Sequence, residues 1–297
     1  MPRSPIDIVR RRVNFDFGAV VPGPWYPGSP KNETFLNAIS FFFPPGEKFF
    51  IDSVQYYQDR ISDPVLKEQV RRFVYQEAMH TRQHNRGNLP LVTKNPEWAR
   101  IGRVGENLLN LARWITPRSY QLALTCALEH YTAMLCDSLL RRQDFILEHA
   151  QPAYAQLWLW HAVEETEHKA VCFDVYREVV GTGPVAYLMR AVAMVVVSFF
   201  FTVAVTIGVS IVERGPRRRR ETSAAPEGGP VGDGQDLPGR RPRYGLSNPL
   251  IPWRQVLDYF RPSFHPWDFD NSHLVEEWKR RFPELGSYPG AHASAAS

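Results

Sequence analysis

Two short stretches, Gln76-Glu-Ala-Met-His80 and Glu164-Glu-Thr-Glu-His168, each place a Glu three residues before a His inside a run with helical character. Residues three apart share a helix face, so Glu77 and His80 point the same way, as do Glu165 and His168. Two further acids stand alone in apolar surroundings: Glu47 within Phe41-Phe-Phe-Pro-Pro-Gly-Glu-Lys-Phe-Phe-Ile51, and Glu129 within Leu122-Ala-Leu-Thr-Cys-Ala-Leu-Glu-His-Tyr131. An ionised carboxylate on an apolar helix face is costly unless it is paired or bound to metal. The chain is therefore constrained to a fold in which these side chains meet.

Helix-start signals place the four acids on four separate helices. Asp63-Pro64, Asn95-Pro96, Thr116-Pro117 and Gln151-Pro152 each put Pro at a first helical position. They predict helices over roughly 46–61, 64–86, 96–115, 117–142 and 152–180, and no alternating β-branched run long enough for a sheet intervenes. The fold class is all-α. Four glutamates and two histidines facing one core suit two divalent ions, with iron or manganese favoured by the mixed donors and zinc open. The order Glu, Glu-x-x-His, Glu, Glu-x-x-His is that of the ferritin-like four-helix bundle, which needs one long crossover between its second and third helices. Helix 96–115 falls in that position.

The expected metal ligands are Glu47, Glu77, His80, Glu129, Glu165 and His168, with Glu77 and Glu165 as the catalytic carboxylates. His84 and His161 fall on the same faces, as further imidazole ligands or as hydrogen-bond donors that orient a carboxylate. Glu164 can replace Glu165 by spacing, but Glu165 repeats the Glu77–His80 pattern. His130 points off the Glu129 face and reads as structural. Tyr131 and Cys172 read as packing residues near the pocket, and His265 with Asp268 and Asp270 reads as part of a docking segment rather than a second site.

Around this bundle, at 46–186, the chain divides into an irregular Pro- and Gly-rich lead-in (1–45), an apolar helix (187–213), an Arg/Gly/Pro-rich linker (214–246) and an aromatic C-terminal segment (247–297) that docks back. Residues 191–212 carry no charge and are long enough to cross a bilayer. A simple span would put Arg217–Arg220 on the cytoplasmic side and the bundle outside. A helix lying on the membrane, with the bundle on the cytoplasmic face, avoids this; burial in a homodimer interface is the other arrangement. The net charge is +4, and Glu213 to Arg243, with eight arginines against five acids, supplies +3 of it. The remainder is nearly neutral, which argues against a nucleic-acid surface. Cys126, Cys136 and Cys172 fit neither a zinc spacing nor a disulfide framework, so a reducing compartment is expected. Met1 to Gly18 lacks the apolar core of a secretory signal.

The chain resembles the bacterial family called predicted metal-dependent hydrolases. The resemblance is carried by Asn37-Ala-Ile-Ser40, Phe43-Pro-Pro-Gly-Glu47, Gln76–His80 with His84, His161 with Glu164-Glu-Thr-Glu-His-Lys169, and Tyr259-Phe-Arg-Pro-Ser-Phe-His-Pro-Trp267. It implies a metal site at the six residues above, with His84 and His161 as accessories. Two chemistries fit such a site. A di-iron pair with an electron donor can use dioxygen to hydroxylate, desaturate or N-oxygenate a hydrophobic small molecule, which the all-helical, glutamate-rich donor set favours. The alternative is hydrolysis by a water activated between two metals. A storage or structural metal is the non-catalytic reading.

Overall fold

The computed structural model describes residues 4–21, 23–214 and 252–286. Apart from Arg214, the expected linker lies outside the described residues, as do 247–251 and 287–297 of the C-terminal segment. Every regular element among the described residues is a helix.

Helix α1 runs over Pro30–Gln55, passing straight through Pro44 and Pro45. This corrects the expectation of an irregular lead-in to residue 45 and a helix beginning at 46. Pro44 cannot donate to the Ser40 carbonyl one turn back. Asn88 Nδ2 donates to that carbonyl instead, at 2.9 Å. The Phe41 carbonyl, freed by Pro45, faces helix α3 (Ala99–Ile115), where a Cβ on Gly102 would stand 3.3 Å from it. The proline doublet is thus tolerated because neighbouring helices cover the gap.

Helix α2 (Pro64–Lys94) starts where expected, capped by Asp63, whose side chain accepts from Val65 N. It continues past residue 86 to Lys94, and at Gly87 it lets Phe17 and Leu157 approach; a Cβ there would lie 3.1 and 3.2 Å from them. Helix α4 spans Arg118–Leu140, and a short helix α5, Gln143–His149, fills the connection to α6 (Pro152–His168). The expected helix 152–180 is interrupted at Lys169-Ala170 and resumes as α7 (Val171–Val179). At the break Lys169 turns inward and donates to Phe269 O at 2.6 Å and Asn271 Oδ1 at 2.8 Å.

Helices α1, α2, α4 and α6 close a ring: α1 packs on α2 and α4, and α6 packs on α2 and α4. Against the outer side of α1 and α4 lie α3 and the apolar helix α8 (Pro184–Arg214). Residues Ala186, Ala193, Met194, Val197, Ala204, Gly208 and Val212 bury one stripe of α8 along its whole length, so it lies against the bundle rather than projecting from it.

The C-terminal segment docks back, as expected. Arg190 of α8 donates to the carbonyls of Tyr259 and Arg261 at 2.5 and 3.0 Å and lies over the Tyr259 ring. Further on, Trp278 and Val275 are buried beside α6. His265 pairs with Asp174 at 3.2 Å and accepts from Trp267 N, which makes it a clamp of this docking rather than part of a second site.

Candidate metal centre

All six expected ligands, together with His84, His161 and Glu164, are buried. The ring of helices delivers them to one place. Glu47 comes from α1, Glu77, His80 and His84 from α2, Glu129 from α4, and His161, Glu164, Glu165 and His168 from α6. Four overlapping groupings emerge, each with donor atoms within 4.8 Å of one another: Glu77, Glu129, Glu165 and His168; Glu47, Glu77 and His80; His80, His161 and Glu165; and Glu47, His84 and His161. Glu77 and Glu165 each belong to two of them, as do Glu47, His80 and His161.

The distances suit shared ions. His168 Nε2 lies 3.0 Å from Glu77 Oε1, 3.3 Å from Glu165 Oε2 and 3.8 Å from Glu129 Oε2. His80 Nδ1 lies 3.4 Å from Glu165 Oε1 and 3.9 Å from Glu77 Oε2, and His161 Nε2 lies 3.1 Å from Glu165 Oε1. Two donors on one ion, each about 2.0–2.2 Å from it, stand about 3 Å or more apart.

The chemistry of the donors supports the same conclusion. Glu47 Oε1, both oxygens of Glu77 and of Glu129, Glu165 Oε2, His80 Nδ1, His161 Nε2 and His168 Nε2 are buried without a hydrogen-bond partner. Buried polar atoms are normally satisfied. Here the unsatisfied ones face a common centre, and their partners on the other side are firmly placed.

Those outward partners fix each imidazole. His80 Nε2 bonds Glu164 Oε2 at 3.1 Å, leaving Nδ1 inward; His168 Nδ1 bonds Gln76 Oε1 at 2.8 Å, leaving Nε2 inward. A third chain settles His161. Asn88 Nδ2 is engaged with a carbonyl, so its Oδ1 accepts from Ser40 Oγ at 2.6 Å. Ser40 therefore accepts from His84 Nδ1 at 2.8 Å, and His84 Nε2 accepts from His161 Nδ1 at 2.9 Å. His161 Nε2 is left with a free lone pair toward Glu165. Both nitrogens of His84 are thereby occupied, so His84 orients His161 although it stands close enough to Glu47 and His161 to share an ion with them.

Glu164 likewise turns away from the centre. Its Oε1 accepts from Trp160 Nε1 at 3.0 Å and from Arg11 at 3.2 Å, while Oε2 holds His80. Sequence reasoning did not find Arg11, which is buried between Glu164 and Glu167 with bonds of 2.8 and 2.6 Å to the latter. An Arg within the charged run Arg10–Arg12 carries no periodic signal that separates it from solvent-facing neighbours. Thr81, which donates to Glu47 Oε2 at 2.6 Å, and Gln76 were also missed, although Gln76 adjoins the motif.

Without an ion the groups disturb one another strongly. Burial, then the neighbouring carboxylates, holds Glu47 and Glu129 well above the usual carboxyl range, and Glu77 is raised by burial and Glu165. Burial would raise Glu165 too, but the His168 charge and the three imidazoles around it hold it well below. Burial alone would lower His80; Glu164, Glu165 and Glu77 outweigh it and hold its pKa up at about 10. His161 is pushed down to about 4 by burial and by the His80 charge. A cluster so divided between protonated and ionised carboxyls is one that a divalent ion would resolve by displacing protons.

Several neighbours behave as packing residues. His130 bonds the Gln255 carbonyl at 2.9 Å, Tyr131 OH donates to Ser198 Oγ at 2.8 Å, and Cys172 is buried. Among the described residues, His265, Asp268 and Asp270 form no metal-capable grouping.

An all-helical protein with buried glutamate and histidine clusters able to hold metal ions is thus defined by fold and site together. The chain belongs to the family described as predicted metal-dependent hydrolases, whose sequence profile matches residues 9–270. No curated protein and no solved structure matches it.

Proposed function

We propose that the chain is a two-metal hydrolase built on a ferritin-like bundle, with Glu47, Glu77, His80, Glu129, Glu165 and His168 as ligands and His161 Nε2 as a seventh donor. The observation that carries this reading is the set of inward-facing, unpartnered oxygens and nitrogens contributed by four helices. The family's description supports hydrolysis over the oxidation that the donor set alone suggested. Two divalent ions would supply a water ionised near neutral pH and polarise the ester or phosphoryl oxygen under attack.

The chain's own residues supply the rest. Glu164 and Gln76 hold the two motif histidines with their lone pairs inward. Thr81 steadies one oxygen of Glu47 and leaves the other free. Glu77 and Glu165, which reach the most donors, would each hold the ions that activate the attacking water. The rings of Phe43, Phe73 and Trp160 stand 4.5 to 4.9 Å from His161, His168 and His80 and keep bulk water out.

A second reading keeps the same ligands but uses iron, dioxygen and an electron donor to oxidise a hydrophobic molecule. It rests on the donor chemistry: carboxylates and imidazoles without thiolate suit iron or manganese as well as zinc. Metal analysis of protein from iron-supplemented cells, followed by two assays, separates the readings. Ester or phosphoester turnover without reductant establishes the hydrolase, whereas reductant-dependent oxygen uptake with about two irons per chain establishes the oxidase.

The outer stripe of α8 (Val185, Leu188, Val192, Val195, Phe199 and Val203) is exposed and apolar. We place it against the cytoplasmic face of a membrane, in the manner of an interfacial helix. Co-sedimentation with anionic vesicles is the expected result, and a detergent-free, monodisperse dimer that ignores vesicles would assign the stripe to a homodimer interface instead.

A further inference from the structure

Beside the centre an apolar groove of about 220 Å³ runs between α1, α3, α4 and α8. Its mouth is formed by exposed side chains, Leu111 and Ile115 of α3 and Phe200 of α8. Its floor is formed by buried ones, including Phe43, Phe50 and Leu124. The only hydroxyl among its described lining residues belongs to Thr132, and that hydroxyl is spent on the Leu128 carbonyl of its own helix at 3.1 Å. No group in the groove can recognise a polar ligand.

The floor ends against the metal centre. Gly46 lines the groove and precedes Glu47; Leu128 lines it and precedes Glu129. Phe43 belongs to both regions, its ring lying 4.7 Å from His84 and 4.5 Å from His161. An open, purely apolar slot is stabilised by an apolar occupant. Its lining leads from an exposed apolar face to Phe43 beside the centre, so an extended apolar chain can reach from one to the other.

We infer that the groove binds the linear alkyl chain of an acyl compound, feeding its functional end toward the centre past Phe43. This deepens the hydrolase reading and rests on it for the chemistry at the inner end, though not for the binding of the chain. The chain comes from a membrane lipid ester, since the mouth opens beside the exposed stripe of α8; a free fatty acid is what its hydrolysis would release.

The test uses the full-length protein, metal-loaded, with cis-parinaric acid in solution and with parinaroyl-phosphatidylcholine in vesicles as fluorescent probes. Leu109→Trp and Val205→Trp, two groove-lining positions away from the ligands, should each weaken probe binding by about tenfold or more, because the added ring takes the volume of the chain. Leu188→Ser, exposed and outside the groove, should bind free parinaric acid as the parent does, and metal content should be unchanged in all three. Transfer from vesicles supports the membrane-lipid source, and binding from solution with none from vesicles overturns it. Wild-type affinity in both tryptophan variants overturns the groove assignment. A short water-soluble ester, too small to need the groove, tests the hydrolase reading apart from it. If that ester is not turned over while parinaric acid binds, the chemistry fails and the groove stands.

Discussion

The metal centre and the apolar groove lie back to back, sharing Phe43, and they are assembled in opposite ways. At the centre, the atoms facing outward are tied to Gln76, Glu164, Thr81 or the Ser40–His84 chain, and the atoms facing inward are left open. In the groove nothing polar is left open, because almost nothing polar is present. The same fold thus separates a place that strongly selects charge from one that selects only shape and hydrophobicity. The contrast locates chemical specificity at the centre and leaves the groove to discriminate by chain length and width.

Removing a shared ligand should disturb this contrast most. Glu77→Ala or His168→Ala should take the metal content below about a tenth of the parent's, since open-sphere donors cannot be replaced from a packed interior. His265→Ala should leave it intact, and elemental analysis of the three proteins is the check. Arg11→Met comes next. It removes the guanidinium shared by two buried carboxylates, leaving Glu164 to His80 and Trp160 and Glu167 to Gln76, Val9 N and Lys279, and should cost about 3 kcal/mol in chemical denaturation; a loss under about 1 kcal/mol would show that the support of His80 does not depend on this guanidinium.

Acidity should separate the metal-free and metal-loaded proteins. His80 has a pKa of about 10 in the fold against 6.5 unfolded. Its proton therefore stabilises the metal-free fold fully below pH 6.5, and that contribution is lost as the pH rises through 10. The raised carboxyls of Glu47, Glu77 and Glu129 act the same way above their ordinary 4.5. His161, at about 4 against 6.5, acts oppositely, but only between those two values. Chelated protein should lose stability from pH 6.5 to 10, while metal affinity rises over the same window as protons cease to compete. Parallel denaturation curves with and without metal across that range are the measurement.

The groove side should respond more mildly. Gly105→Ala places a Cβ 2.7 Å from Phe42 Cδ1, and shifting that ring should cost about 1–3 kcal/mol in a thermal melt without loss of metal. Smallest of all, Leu188→Ser on the exposed stripe should change stability by less than about 0.5 kcal/mol while weakening vesicle binding. A large destabilisation there would mean that another chain covers the stripe.

Much of the centre was readable because helices impose a period. The spacing of Glu77 with His80 and of Glu165 with His168 fixes their faces wherever the helices end, and Pro64 and Pro152 mark starts that the fold keeps, while Pro96 opens a 3₁₀ turn that leads into α3. What escaped was non-local. The Pro44-Pro45 doublet reads as a stop because its remedy, Asn88, lies on another helix. The break after His168 follows from Lys169 reaching a segment a hundred residues away. His84 and His161 look equivalent by spacing, and only the hydrogen-bond chain through Ser40 and Asn88 separates a supporting role from a facing one.

The two prolines also bear on how Glu47 differs from its companions. Helix α1 lacks two successive rungs of its hydrogen-bond ladder just before that residue, so the turn is not held by α1 alone. Glu77, Glu129 and Glu165 ride on helical turns without a neighbouring proline. Of the four carboxylates, Glu47 is accordingly the one whose setting is secured from outside its own helix, by Asn88 at the Ser40 carbonyl and Thr81 at its Oε2, both carried by α2.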